Sequence, residues 1–134
     1  MVIGDSITHF WGGDPKAAQA NGPASWQATC GPYRTLNLSF CLDRIQNVLW
    51  CLDHGELAGL HPRVIVLHIG TNNTSNTEQA RKNPPAGIAE GVRAVFRRLR
   101  AKTPEARIIL MAVFPRERMP DHPVASENSR LALV

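Results

Sequence analysis

At 134 residues the chain is long enough for one domain with a real core. Its 43% hydrophobic and 19% charged residues describe a soluble globular protein and exclude a disordered one, and no apolar run approaches a membrane span. A net charge of +4 admits nucleic-acid binding, but the basic residues, grouped from Arg93 to Lys102 and at Arg116 and Arg118, have no aromatics interleaved and match no recognised motif; they read as a solvated helix face, and no nucleic-acid partner is expected.

Met1 to Asp5 reads as a short buried strand, and Gly4-Asp5-Ser6 as the tight turn that ends it. Such a turn either presents a serine at the carboxyl edge of a parallel sheet or is a plain connection with Ser6 or Asp5 as a helix N-cap. Residues 7 to 11 start a helix. Gly12 to Ser25 is a Gly/Pro/Asn/Ala-rich connection, with Trp26 as its apolar anchor. Arg34 to Leu38 is a second short strand. Asp43 is placed to cap the segment after it, where Ile45, Val48, Leu49 and Leu52 share one helix face and Gly55 suits the position just past the end.

Arg63 to Ile69 is the clearest strand, with the continuous aliphatic run of a central parallel strand. It ends in the polar turn Gly70-Thr71-Asn72-Asn73. Pro84-Pro85 opens a long helix with a stripe of Ile88, Val92, Val95, Phe96 and Leu99, and Pro104 closes it. Arg107 to Phe114 is a further buried strand. Pro115 to Pro123 is a proline-punctuated loop, and Ser126 to Val134 begins a helical pattern. This alternation predicts a single α/β domain over 1–134 with parallel strands and helical crossovers. The loops after the four strands then open at one edge, where a serine, a helix N-terminus and a carboxamide converge. Acyl transfer uses that set: a nucleophilic hydroxyl, and N–H donors aimed where the oxyanion forms.

Cys30, Cys41 and Cys51 cannot all pair and lack zinc spacing, so they read as reduced, mostly buried thiols. Trp11, Trp26 and Trp50 read as core or loop anchors. His68, inside the central strand, reads as a hydrogen-bonded core histidine. His9, one helical turn from Ser6, reads as a pocket wall more than as a base, and His122 as a surface-loop histidine. Asp5 and Asp43 are read as fixing turns and capping helices. No basic leader precedes the first strand, and the compartment stays open with cytoplasm as the default.

Gly4-Asp5-Ser6, then Asn37-Leu38-Ser39-Phe40-Cys41-Leu42-Asp43, then Gly70-Thr71-Asn72 resemble, in order, the first three blocks of the SGNH (GDSL-type) hydrolases. Asn47-Val48-Leu49-Trp50, His54-Gly55-Glu56-Leu57 and the later Gly70-Thr71-Asn72-Asn73 are similar to the branch containing the catalytic subunits of type Ib platelet-activating-factor acetylhydrolase. The resemblance covers nearly the whole chain. It implies a flavodoxin-like three-layer α/β/α fold with strand order 2-1-3-4-5. It further implies a serine ester hydrolase for small acyl esters of a lipid or carbohydrate, without metal or cofactor. Ser6 would be the nucleophile and one backbone oxyanion donor, Leu42 a second backbone donor, and Asn72 a side-chain donor.

Two departures follow. The family usually has glycine where Leu42 stands, so a turn that needs positive φ strains this residue. The family's C-terminal Asp-x-x-His block has no counterpart, nor do the fifth strand and last helix. The expectation is a piece of a longer hydrolase, clipped at both ends. Its alternative is a catalytically inactive SGNH-like binding module. A bare fourth-strand edge would favour self-association, including a homodimer.

Overall fold

The computed structural model describes residues 1–12, 19–76, 78 and 80–114. The elements expected after Phe114, the 115–123 loop with His122 and the 126–134 helix, lie outside them. Three strands form a parallel sheet in the order β1 (Val2–Gly4), β2 (Val64–His68), β3 (Arg107–Leu110). Val2 lies beside Val66, Gly4 beside His68 and Leu67 beside Leu110. The segment expected as a second strand, Arg34 to Leu38, is reduced to one parallel bridge, Val2 to Asn37, on the far side of β1. The spatial order is therefore the expected 2-1-3-4, with the first member barely a strand. The cause lies in Asn37. Its amide donates to the Thr8 carbonyl and its oxygen accepts from the Ser39 N–H, so the chain turns away after two ladder bonds.

Among the described residues four α-helices accompany the sheet: α1 (Ser6–His9), α2 (Pro23–Thr29), α3 (Ile45–Asp53) and α4 (Pro85–Lys102). Helix α2 falls where the sequence reads as loop and anchor. Pro23 is its first residue, the position where a fixed φ and a missing N–H are harmless. Trp26 does anchor this region: its ring meets Trp11 edge-on, centroids 5.1 Å apart. Trp50 corrects the expectation of a core or loop anchor. It is 60% exposed and stacks on His54, four residues along the same helix.

The core lies between one face of the sheet and the α3–α4 layer. Ile3, Ile65 and Leu67 face Ile45, Val48 and Leu52 of α3 and Ile88, Val95 and Leu99 of α4, all buried. Burying each such side chain contributes roughly 2 kcal/mol. Arg98 and Asp53 pin the two helices at the surface with two bonds, 2.8 and 3.1 Å. β3 departs from its reading as a buried strand: Ile109 and Leu110 are about half exposed, on the outer strand of the described sheet. The thiols depart too, since Cys30 is buried and Cys51 half-buried but Cys41 is exposed. No described helix is long and apolar enough to cross a membrane.

Candidate active site

The parallel register carries three loops to one edge of the sheet. Gly4 and His68 are level, so Ser6 and Gly70 each stand two residues beyond the same rung. The first loop is tight for a stated reason. A Cβ on Gly4 would lie 2.6 Å from both the His68 carbonyl oxygen and the Thr8 hydroxyl, so only glycine fits. Asp5, wholly buried, caps α1 by accepting the Ile7 N–H at 3.0 Å. Ser6 is therefore the first residue of the helix and half-buried. Its hydroxyl makes no hydrogen bond to a described side chain.

The second loop is the turn Phe40 to Asp43, closed by the Asp43 N–H donating to the Phe40 carbonyl at 3.2 Å. Leu42 is its third residue and has φ +64°. The anticipated strain is therefore present, because a turn of this shape is one that glycine fills without cost. Leu42 is also 66% exposed, so burial does not repay it. Asp43 does not cap α3, contrary to expectation. The N-cap residue is Arg44, and the first helical N–H, from Ile45, is taken by a side chain from elsewhere.

That side chain is Asn73, in the third loop. Gly70, with φ +126°, turns the chain into a single 3-10 turn, Thr71–Thr74, whose residues are all buried. The Asn72 amide donates to the Asp43 carbonyl at 2.8 Å, joining the third loop to the second. Asn73 accepts from Ile45 N–H at 3.0 Å and donates to Gln46 Oε1 and Asn83 Oδ1, both at 2.9 Å. Asn73 falls inside the Gly70-Thr71-Asn72-Asn73 motif, but its bracing role, and Asn83 altogether, escape a motif reading. The doubled asparagine is the only trace of that role in the sequence.

The histidines divide clearly. His9 stacks on Phe10 at 5.0 Å and meets Phe40 at 6.0 Å, and neither ring nitrogen has a hydrogen-bond partner among the described residues. It walls the site between α1 and the second loop. His68 is buried against Phe114, and its Nε2 likewise has no described partner, so it is a core histidine but not a hydrogen-bonded one at that atom. Burial pulls its pKa down, opposed in part by the charge of Asp5. Ser6, Phe10, His68 and Phe114 are among the walls of an apolar cleft of about 590 Å³ on the face of the sheet away from α3 and α4. No group of three or more metal-ligating side chains is found among the described residues.

The edge thus brings together Ser6 at a helix start, the Leu42 turn and the Asn72 amide. Of these loops, the second and third are joined directly by the Asn72–Asp43 bond. The sequence profile of the GDSL-like lipase/acylhydrolase family matches residues 2–134. The platelet-activating factor acetylhydrolase IB subunit beta homolog of Drosophila melanogaster is 35% identical over 97 residues, which are 72% of this chain and 40% of that protein. The alpha2 subunit of the same acetylhydrolase from Homo sapiens is 32% identical over 106 residues, 79% of this chain and 43% of the relative. The chain therefore spans roughly two-fifths of these relatives' length. Among solved structures, an acetyl xylan esterase from Geobacillus stearothermophilus superposes with a TM-score of 0.72 at 17% identity, covering 98% of this chain and 67% of that one. An alpha/beta hydrolase from the metagenome of Lake Arreo gives 0.71 at 17% identity, with 98% and 67% covered. At such identities these two likenesses speak for the fold.

Proposed function

The chain belongs to the GDSL-like lipase/acylhydrolase family, and from that premise we propose that it carries the nucleophile and oxyanion half of a serine ester hydrolase. Ser6 attacks the carbonyl carbon of a small acyl ester, its hydroxyl proton passing to the family's Asp-x-x-His histidine, which this sequence lacks, and from there to the departing alcohol oxygen. The carbonyl oxygen, turning negative, is received by the backbone N–H groups of Ser6 and Leu42 and by the Asn72 amide. The alcohol leaves, and water then releases the acyl group from Ser6. Nothing in this half of the reaction calls for a metal or cofactor: the donors themselves stabilise the developing charge.

The single observation that supports this most is the Asn72–Asp43 bond of 2.8 Å. It spends one proton of the Asn72 amide on the very turn that carries the Leu42 N–H, leaving the other proton to point elsewhere. Two donors from loops 30 residues apart are thereby held as one unit. The start of α1 adds its own positive end only weakly, since this helix is a single turn.

The family relatives act as acetylhydrolases by name, and acetyl esters of a lipid or a sugar are the proposed substrate class. The test is covalent. A fluorophosphonate probe, which demands an activated serine but no particular ester, should modify Ser6 in a full-length protein that also carries the family's Asp-x-x-His block and leave Ser6→Ala untouched. Unmodified Ser6 in a protein that melts cooperatively would count against catalysis and for the binding-module alternative.

A further inference from the structure

Arg44 is more than nine-tenths buried, yet no carboxylate among the described residues pairs with it. Among the described residues its guanidinium is met by neutral oxygens. Nη1 donates to the Ser75 carbonyl at 3.3 Å, and Nη2 to the Arg81 carbonyl at 2.6 Å and Asn83 Oδ1 at 3.0 Å. Taking an unpaired cation out of water is costly, several kcal/mol in general. A helix start does not require it, because Asn47 already accepts the Arg44 N–H and Asn73 the Ile45 N–H. The buried charge has another use.

Asn83 Oδ1 is shared. It accepts from Arg44 and from the Asn73 amide, while the Asn83 N–H donates to the Asn73 carbonyl at 2.8 Å. Arg44 follows Asp43, whose carbonyl holds Asn72, and Asn73 follows Asn72. Two adjacent residues of the second loop therefore grip two adjacent residues of the third, one pair directly and the other through Asn83. We propose that Arg44 is a positioning residue: acting through Asn83 and Asn73, it fixes the register between the Leu42 N–H and the Asn72 amide. This rests on the ester-hydrolase reading for its catalytic meaning, but not for its geometry. Only a guanidinium supplies enough fixed donors to span three acceptors at once; an ammonium keeps the charge and loses the fork.

The experiment uses the full chain labelled with ¹⁵N, as wild type, Arg44→Met, Arg44→Lys and Asn83→Ala. Relaxation order parameters are read at the Leu42 N–H, the Asn72 side-chain amide and, as a core reference, the Leu67 N–H. Arg44→Met should lower both loop values from the rigid range near ~0.85 towards ~0.6 or less, with Leu67 unchanged. Arg44→Lys should fall between, and Asn83→Ala should follow Arg44→Met. The rate of fluorophosphonate capture by Ser6 should drop at least about tenfold in Arg44→Met, since small misplacements of catalytic groups cost that much or more. Unchanged order at Leu42 and Asn72 overturns the proposal. So does a full return of order with lysine, which would mean that charge alone matters. If Arg44→Met does not fold, Asn83→Ala, which keeps the buried charge and two of its acceptors, decides in the same way. Should wild-type Ser6 resist the probe even in a protein that carries the Asp-x-x-His block, the hydrolase reading falls, while the order parameters still judge the clamp.

Discussion

Two turns supply the proposed donors, and they are built in opposite ways. The turn after β2 is over-determined. Gly70 takes a backbone conformation that only glycine adopts freely, and Thr71 to Thr74 are all buried. Asn73 alone makes three side-chain hydrogen bonds. The turn at Phe40–Asp43 is under-supported. It has one internal backbone bond, an exposed Leu42 at φ +64° and an exposed Cys41 and Phe40. Its ties to the rest of the edge include the Asp43 carbonyl, Arg44 and the Phe40 ring against His9. The difference shows where precision is stored: in buried polar groups of the third loop, from which the second loop is hung.

The largest effects should separate Asn72 from Asn73, neighbours with different duties. Asn73→Ala leaves the Ile45 N–H without its acceptor in the interior and strips two further partners. It should cost about 3 kcal/mol of stability, read by denaturant unfolding. Asn72→Ala loses a single bond and should cost about 1 kcal/mol there, while slowing proposed ester hydrolysis by roughly 10²–10³-fold in kcat. Equal losses of stability in the two variants would break the distinction between a braced loop and the donor it presents.

A pH titration probes a weak point on the braced side. His68 precedes Gly70 by two residues, and burial holds its pKa below the ordinary value. The folded state therefore binds that proton less readily than the unfolded chain. The sign follows: this contribution to stability is complete above the ordinary histidine pKa of ~6.5 and is lost as pH falls through the lowered folded value. Unfolding free energy should fall across that window in the wild type and fall less in His68→Gln. Parallel pH profiles would show that His68 is not the group responsible.

Much of this architecture is legible in the sequence, and what is not has identifiable causes. Continuous apolar runs locate β1 and β2, and helical stripes locate α3 and α4, because their apolar residues answer to one buried layer. Ordered motifs mark Ser6, Leu42 and Asn72. The strand at Arg34 to Leu38 dissolves because Asn37 spends its side chain on Thr8 and Ser39, a choice invisible to β propensity. Helix α2 hides behind Gly22-Pro23, which signals a turn as readily as a helix start. The clamp is hidden most deeply. Its partners lie 28 to 39 residues apart from Ile45 and Arg44, and hydrogen bonds at that range leave no periodic trace.

The smallest effect bears most directly on the comparison. An L-residue in the left-handed region costs roughly 1–2 kcal/mol relative to its preferred conformations, and glycine avoids that cost while giving up some unfolded-state entropy. Leu42 makes no compensating burial. Leu42→Gly should thus raise stability by about 0.5–1 kcal/mol, seen as a higher denaturation midpoint with an unchanged slope. Because the Leu42 donor is a backbone N–H, the substitution keeps it, and probe capture at Ser6 should hold or improve. A lower midpoint would mean that the exposed isobutyl group braces the turn after all. The second loop would then have a support of its own, and the asymmetry between the two turns would vanish.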